Sequence, residues 1–100
     1  MGELPTEVQE YKRTRAFNFE TTPAGLTSSH RLRPNVWGEI VVTHGCVTFV
    51  LEDAGNRHVT LTPERPGVVE PERPHHVVPD AEARFFVRFL RAPEEAESER

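Results

Sequence analysis

Apolar residues alternate with polar ones in short runs along this chain, and proline, glycine and asparagine fall between the runs. The clearest run is VWGEIVVT, Val36 to Thr43, where β-branched residues dominate. Alternation puts Gly38, Ile40, Val42 and, just beyond, His44 on one face, with Trp37, Glu39, Val41 and Thr43 on the other. A glycine inside such a run marks a bulge or the close approach of another group. Cys46 to Leu51 follows, with Val47, Phe49 and Leu51 on one side. Asp53-Ala54-Gly55-Asn56 is a turn sequence, since Gly and Asn tolerate positive φ, and His58 to Thr62 returns with Val59 and Leu61 inward. Val68 to Glu70 and His75 to Val78 are shorter runs, and Arg84 to Leu90 closes the pattern with Phe85, Val87 and Phe89 aligned. Tyr11 to Phe19 supplies a first strand, and 21–29 is a loop bending at Pro23-Ala24-Gly25.

Roughly six to eight short strands separated by turn residues, with no amphipathic helical period, predict an all-β domain: a small barrel or sandwich of antiparallel strands. The folded unit is expected over 11–91, preceded by a flexible arm over 1–10 and followed by an acidic, disordered tail over 92–100.

Composition narrows the partners. The 100 residues carry 12 basic and 16 acidic side chains, a formal charge of −4, and the basic residues are scattered among carboxylates along the sequence. Nucleic-acid binding is therefore not expected, because tracking phosphates needs clustered cations. No apolar run is long enough to cross a bilayer, and the N-terminus shows neither a basic start nor an apolar core, so no membrane partner and a cytoplasmic location are expected. Cys46 is the only cysteine, which rules out an internal disulfide or a thiolate cluster.

The candidate chemistry lies in imidazoles. His30 and His75 both sit in proline-bracketed turns at strand mouths, where two turns can face each other across a barrel. Neutral imidazoles are good ligands for first-row divalent metals such as Zn, Ni or Fe, and open sites combine two or three protein ligands with water. A hydrogen bond within each loop is the plain alternative for the same two residues. His44 and Glu70 are the candidates for a third ligand, and Trp37, Gly38 and Glu39 for the wall of a pocket. Glu39 falls on the face opposite His44, and His76 must project away from its neighbour His75. Cys46 lacks the flanking basic residues that activate a thiolate, and Ser28-Ser29-His30 lacks an acid to orient a base.

Taken together, PAGLTSSH, VWGEIVVTHGCVTF, VVEPERPHHV and the closing RFFVRF resemble the TehB/YeaR-like domain family, from about Tyr11 to Leu90. That family is a cupin-like module found at the front of some tellurite-resistance methyltransferases and as a stand-alone small protein. The resemblance implies a cupin-like β-barrel or sandwich. It aligns His30 with the family's loop histidine, Trp37-Gly38 with its aromatic-glycine pair, Gly45 with its turn glycine, and Pro71 and His75 with its second motif. Wider cupins bind a divalent metal through histidines of two such motifs, often with a carboxylate. Here there is no HxH pair at the first motif, and the usual glutamate position falls on Gly38. There is also no Gly-rich loop for S-adenosylmethionine, so no such cofactor site is expected. The expectation is a small metal-binding protein, with His30 and His75 as ligands, that takes a small molecule or oxyanion, in a tellurite or other stress response. The alternatives are a metal-free small-molecule binding module and a homodimeric interaction domain. Whether any reaction is catalysed stays open.

Overall fold

A computed structural model describes residues 3–92 of the chain. Eight strands form: β1 (Gln9–Arg13), β2 (Phe17–Asn18), β3 (Val36–His44), β4 (Val47–Leu51), β5 (Arg57–Leu61), β6 (Gly67–Val69), β7 (His75–Pro79) and β8 (Arg84–Arg91). The Tyr11–Phe19 run is broken into two strands, β1 beginning already at Gln9 and β2 confined to Phe17–Asn18, both paired with β8. The loop expected over 21–29 contains one helical turn, α1 (Ala24–Thr27). The expected acidic tail, from residue 93 on, and Met1–Gly2 of the N-terminal arm lie outside the described residues.

The strands sort into two antiparallel sheets, one in the order β1-β8-β3-β6 with β2 also on β8, the other β5-β4-β7. Among the described residues only the isolated His30↔His75 bridge and the Thr62↔Arg65 bridge add to these ladders. Of the barrel and the sandwich expected, the two-sheet sandwich is the one found, since among the described residues no continuous ladder curls one sheet into the other.

The core lies between the sheets and follows the alternation. Gly38, Ile40 and Val42 of β3 are buried, and so are Val47, Phe49 and Leu51 of β4, Val59 and Leu61 of β5, and Phe85 and Val87 of β8. Phe49 and Phe85 are wholly enclosed. Burying a side chain of this size is worth about 1.5–3 kcal/mol, so these central aromatics fix the spacing of the sheets.

The two ends of the sandwich are built differently. At one end β3 runs out through a bulge at Thr43, which shifts the register between Val42 and His44. Gly45 then turns with φ +67°, and a Cβ there would lie 2.9 Å from the backbone of Glu82 and Ala83. At the other end the His30 loop, α1 and the turn before β7 cover the opening, and an apolar cavity remains beneath them.

Candidate functional site

The His30 loop is held to β7 by two backbone bonds, His30 N–H to the His75 carbonyl and His75 N–H to the His30 carbonyl, each 2.9 Å. This pairing brings the two imidazoles together, tilted by 57° with ring centroids 4.4 Å apart. Each ring is fixed by a second bond. Nδ1 of His30 donates to the Gly25 carbonyl at 2.9 Å, and Nδ1 of His75 donates to the Arg73 carbonyl at 2.9 Å. A carbonyl can only accept, so Nδ1 carries a proton in both rings, and in the neutral imidazole Nε2 is then the acceptor. Among the described residues no protein group bonds either Nε2. His75 is 4% exposed, and its burial first, with the neighbouring His30 adding to it, pushes its pKa below the ordinary imidazole value.

A carboxylate locks the arrangement from outside. Glu52 accepts from Ser29 Oγ at 2.6 Å and from His76 Nδ1 at 2.5 Å. It therefore ties the residue before His30 to the residue after His75. Those two bonds also hold the Glu52 carboxyl below its usual range. The next residue, Asp53, takes a two-point bond from Arg73 (3.0 and 2.9 Å), and the same guanidinium reaches Glu70 at 2.8 Å. Arg73 is thus pinned where its carbonyl receives His75. Sequence reasoning missed Glu52 and Asp53 because 23 and 20 positions separate them from Ser29 and Arg73, and only the pairing of β4 with β7 brings them near.

The cavity under the imidazoles is lined by His30 and His75 together with Leu26, Leu32, Gly38, Ile40, Val77 and Phe85, among others. The space open to a water-sized sphere is about 20 Å³, room for about one water molecule. It adjoins a shallower apolar trough of about 430 Å³ that shares Leu26, His30, Val87 and Phe89 with it. Gly38 keeps the inner space open: a Cβ there would stand 3.2 Å from Leu32 Cδ1 and 3.3 Å from Val69 Cβ. Trp37 and Glu39 do not line the cavity; they lie on the other face of β3, where Glu39 pairs with Arg88.

The metal expectation fails on this geometry. Among the described residues no group of three or more His, Cys, Asp or Glu is placed to hold an ion. His44 is exposed at the far end of β3, because the Thr43 bulge turns it out beside Arg84. Glu70 is engaged by Arg73. At the position where a cupin carboxylate is expected stands Gly38, whose surroundings leave a side chain little room. Two imidazoles without a third ligand among the described residues do not make a site for Zn, Ni or Fe.

A two-sheet β-sandwich with an apolar pocket under a pair of locked imidazoles is the class of protein these features define. Within that class, the chain belongs to the TehB-like domain family, whose sequence profile matches residues 12–87. Its fold is similar to that in the crystal structure of a protein from E. coli strain K12, with a TM-score of 0.84, 24% identity, and coverage of 94% of this chain and 100% of that one. It is also similar to TehB from Haemophilus influenzae, with a TM-score of 0.81 and 23% identity over 90% of this chain. The match spans only 33% of that TehB chain. No curated protein matches the sequence. Among the described residues no helix is long and apolar enough to cross a membrane.

Proposed function

We propose that the chain is a metal-free binding module for a small apolar molecule that carries a hydrogen-bond donor. The body of the ligand rests in the trough beside Leu26, Val87 and Phe89, and its donor meets the imidazole pair. The observation that carries this reading is the shared tautomer of His30 and His75. Both Nδ1–H groups are satisfied by backbone carbonyls, which leaves two acceptor nitrogens on rings that line an apolar cavity. His75 is the buried one of the two; an unsatisfied buried acceptor costs about 1–3 kcal/mol, and a ligand hydroxyl or amide recovers that loss. Small-molecule sites commonly have this make-up, mostly apolar with a few fixed polar groups.

Phenol and toluene differ by the required donor and serve as probes. Methyl resonances of Leu26, Leu32 and Val87 are expected to shift on titration with phenol, at roughly tenfold lower concentration than with toluene. His75→Phe is expected to abolish that preference. Equal affinity for the two probes, or a phenol preference that survives in both His30→Phe and His75→Phe, would overturn the reading.

A further inference from the structure

On the other side of the Leu32–Phe89 wall lies a second cleft, of about 400 Å³, with a different chemistry. Lys12 of β1, Arg31 and Arg33 of the loop after His30, and Arg91 at the end of β8 all line it, and among the described residues no carboxylate does. In sequence these cations are dispersed among acidic residues; the fold gathers them. Among the described residues none of the four is in an ion pair, whereas Arg13, Arg73 and Arg88 each are. Two of the charges are held by aromatic rings. Lys12 Nζ stands 5.3 Å from the centroid of Phe89, and the Arg91 guanidinium lies 4.2 Å from that of Tyr11. Cation–π contacts of this kind restrain the side chains before any ligand arrives, which lowers the ordering cost of binding.

In a chain of net charge −4, four converging cations repel one another unless an anion sits among them. Guanidinium forks match phosphate oxygens, and the three peripheral oxygens of a phosphate monoester can accept from several directions at once. A lone carboxylate is planar and is satisfied by one fork, so charges arriving from three separate segments suit a tetrahedral dianion better. We propose that this cleft, where β1, the loop after His30 and the end of β8 bring Lys12, Arg31, Arg33 and Arg91 together beside Tyr11, binds a phosphorylated small molecule. The proposal is independent of the imidazole cavity, with which the cleft shares only the apolar wall of Leu32 and Phe89.

The test is a titration of the full chain with pyrophosphate at constant ionic strength, followed by calorimetry and by the arginine Nε–Hε resonances. Arg31, Arg33 and Arg91 signals are expected to shift with a dissociation constant below about 1 mM. Arg33→Gln and Arg91→Gln are each expected to weaken binding at least about fivefold, while Arg65→Gln, outside the cleft, leaves it unchanged. A phosphate monoester such as glycerol 3-phosphate is expected to bind more tightly as pH rises through about 6, where its second charge develops. No response of the three arginines at about 10 mM pyrophosphate would overturn the proposal. So would citrate binding as tightly as pyrophosphate, since the cleft would then be reading charge alone, or equal loss in the Arg65→Gln control.

Discussion

The two ends of this sandwich solve the same problem, how to close the gap between sheets, in opposite ways. At the Gly45 end one carboxylate gathers the turns. Asp80 accepts from Cys46 Sγ at 3.0 Å and from the Glu82 N–H at 3.0 Å, its own N–H bonds the Cys46 carbonyl, and its carbonyl receives the Ala83 N–H. Ala83 is buried against the turn. At the His30 end two imidazoles retain free acceptors over a cavity, and the covering loop is held by hydrogen bonds at its margin and by Leu26 and Leu32, which are only partly buried against the core. Satisfied polar groups and close packing make a stable end; a pocket needs unsatisfied groups and unfilled space. The difference separates the part of the chain that holds the fold from the part available for binding.

The same substitution at the two glycines of these ends should break that symmetry most sharply. Gly45→Ala puts a methyl group on a residue with φ +67°, in contact with backbone that cannot swing away. The left-handed conformation and the clash together are expected to cost roughly 2–4 kcal/mol, measured as a shift in the urea midpoint with little change in slope. A loss below about 0.5 kcal/mol would show that the turn end is softer than its bonding implies. The next effect concerns the open end and pH. The fold keeps His75 neutral by burying it, so its pKa is lowered relative to the unfolded chain. The unfolded state then binds the extra proton. His75 therefore contributes its full stability above the free imidazole pKa of about 6.5, and loses it as pH falls from there through the folded value. The slope from this one group is at most about 1.4 kcal/mol per pH unit. His75→Asn, which retains a donor for the Arg73 carbonyl, is expected to flatten the decline below about pH 6.5; an unchanged profile would place the titration elsewhere.

Alternation was enough to locate β3, β4, β5 and β8, because each has one buried face and a register slip would expose a whole row of Val, Phe and Leu. It could not decide between the barrel and the sandwich, since pairing between distant strands leaves no local trace. The meeting of His30 with His75 follows from prolines that bracket both turns, and the sequence offered that much. What the rings do there was not legible. Their tautomers are set by the carbonyls of Gly25 and Arg73, and their alignment by Glu52, none of which stands at a recognisable spacing. His44 misled for a specific reason: strict alternation puts it on the Gly38 face, and a single extra residue at Thr43 turns it to solvent.

Smaller effects sharpen the contrast. Gly38→Ala should cost less than about 1 kcal/mol, because the crowding falls on the flexible end of Leu32 as well as on Val69, and alanine is favoured over glycine within a strand. It fills the inner cavity all the same, so phenol-induced shifts should weaken while the urea midpoint barely moves; a large loss of stability would mean that both ends are equally rigid.

The smallest expected effect is chemical and belongs to the closed end. The Cys46 thiol donates to Asp80, and that bond, reinforced by desolvation and the nearby negative charge, raises its pKa while lowering that of Asp80. Cys46 is partly exposed, so access alone does not limit its chemistry. The thiolate is the reactive form; alkylation by iodoacetamide at pH 8 should accordingly run slower than for a free cysteine peptide. Asp80→Asn removes the negative charge while leaving an oxygen acceptor, and should bring the rate toward the peptide value. If the variant reacts no faster than the parent, the Cys46–Asp80 bond does not govern the thiol, and the closed end owes its order to Gly45 and the backbone bonds alone.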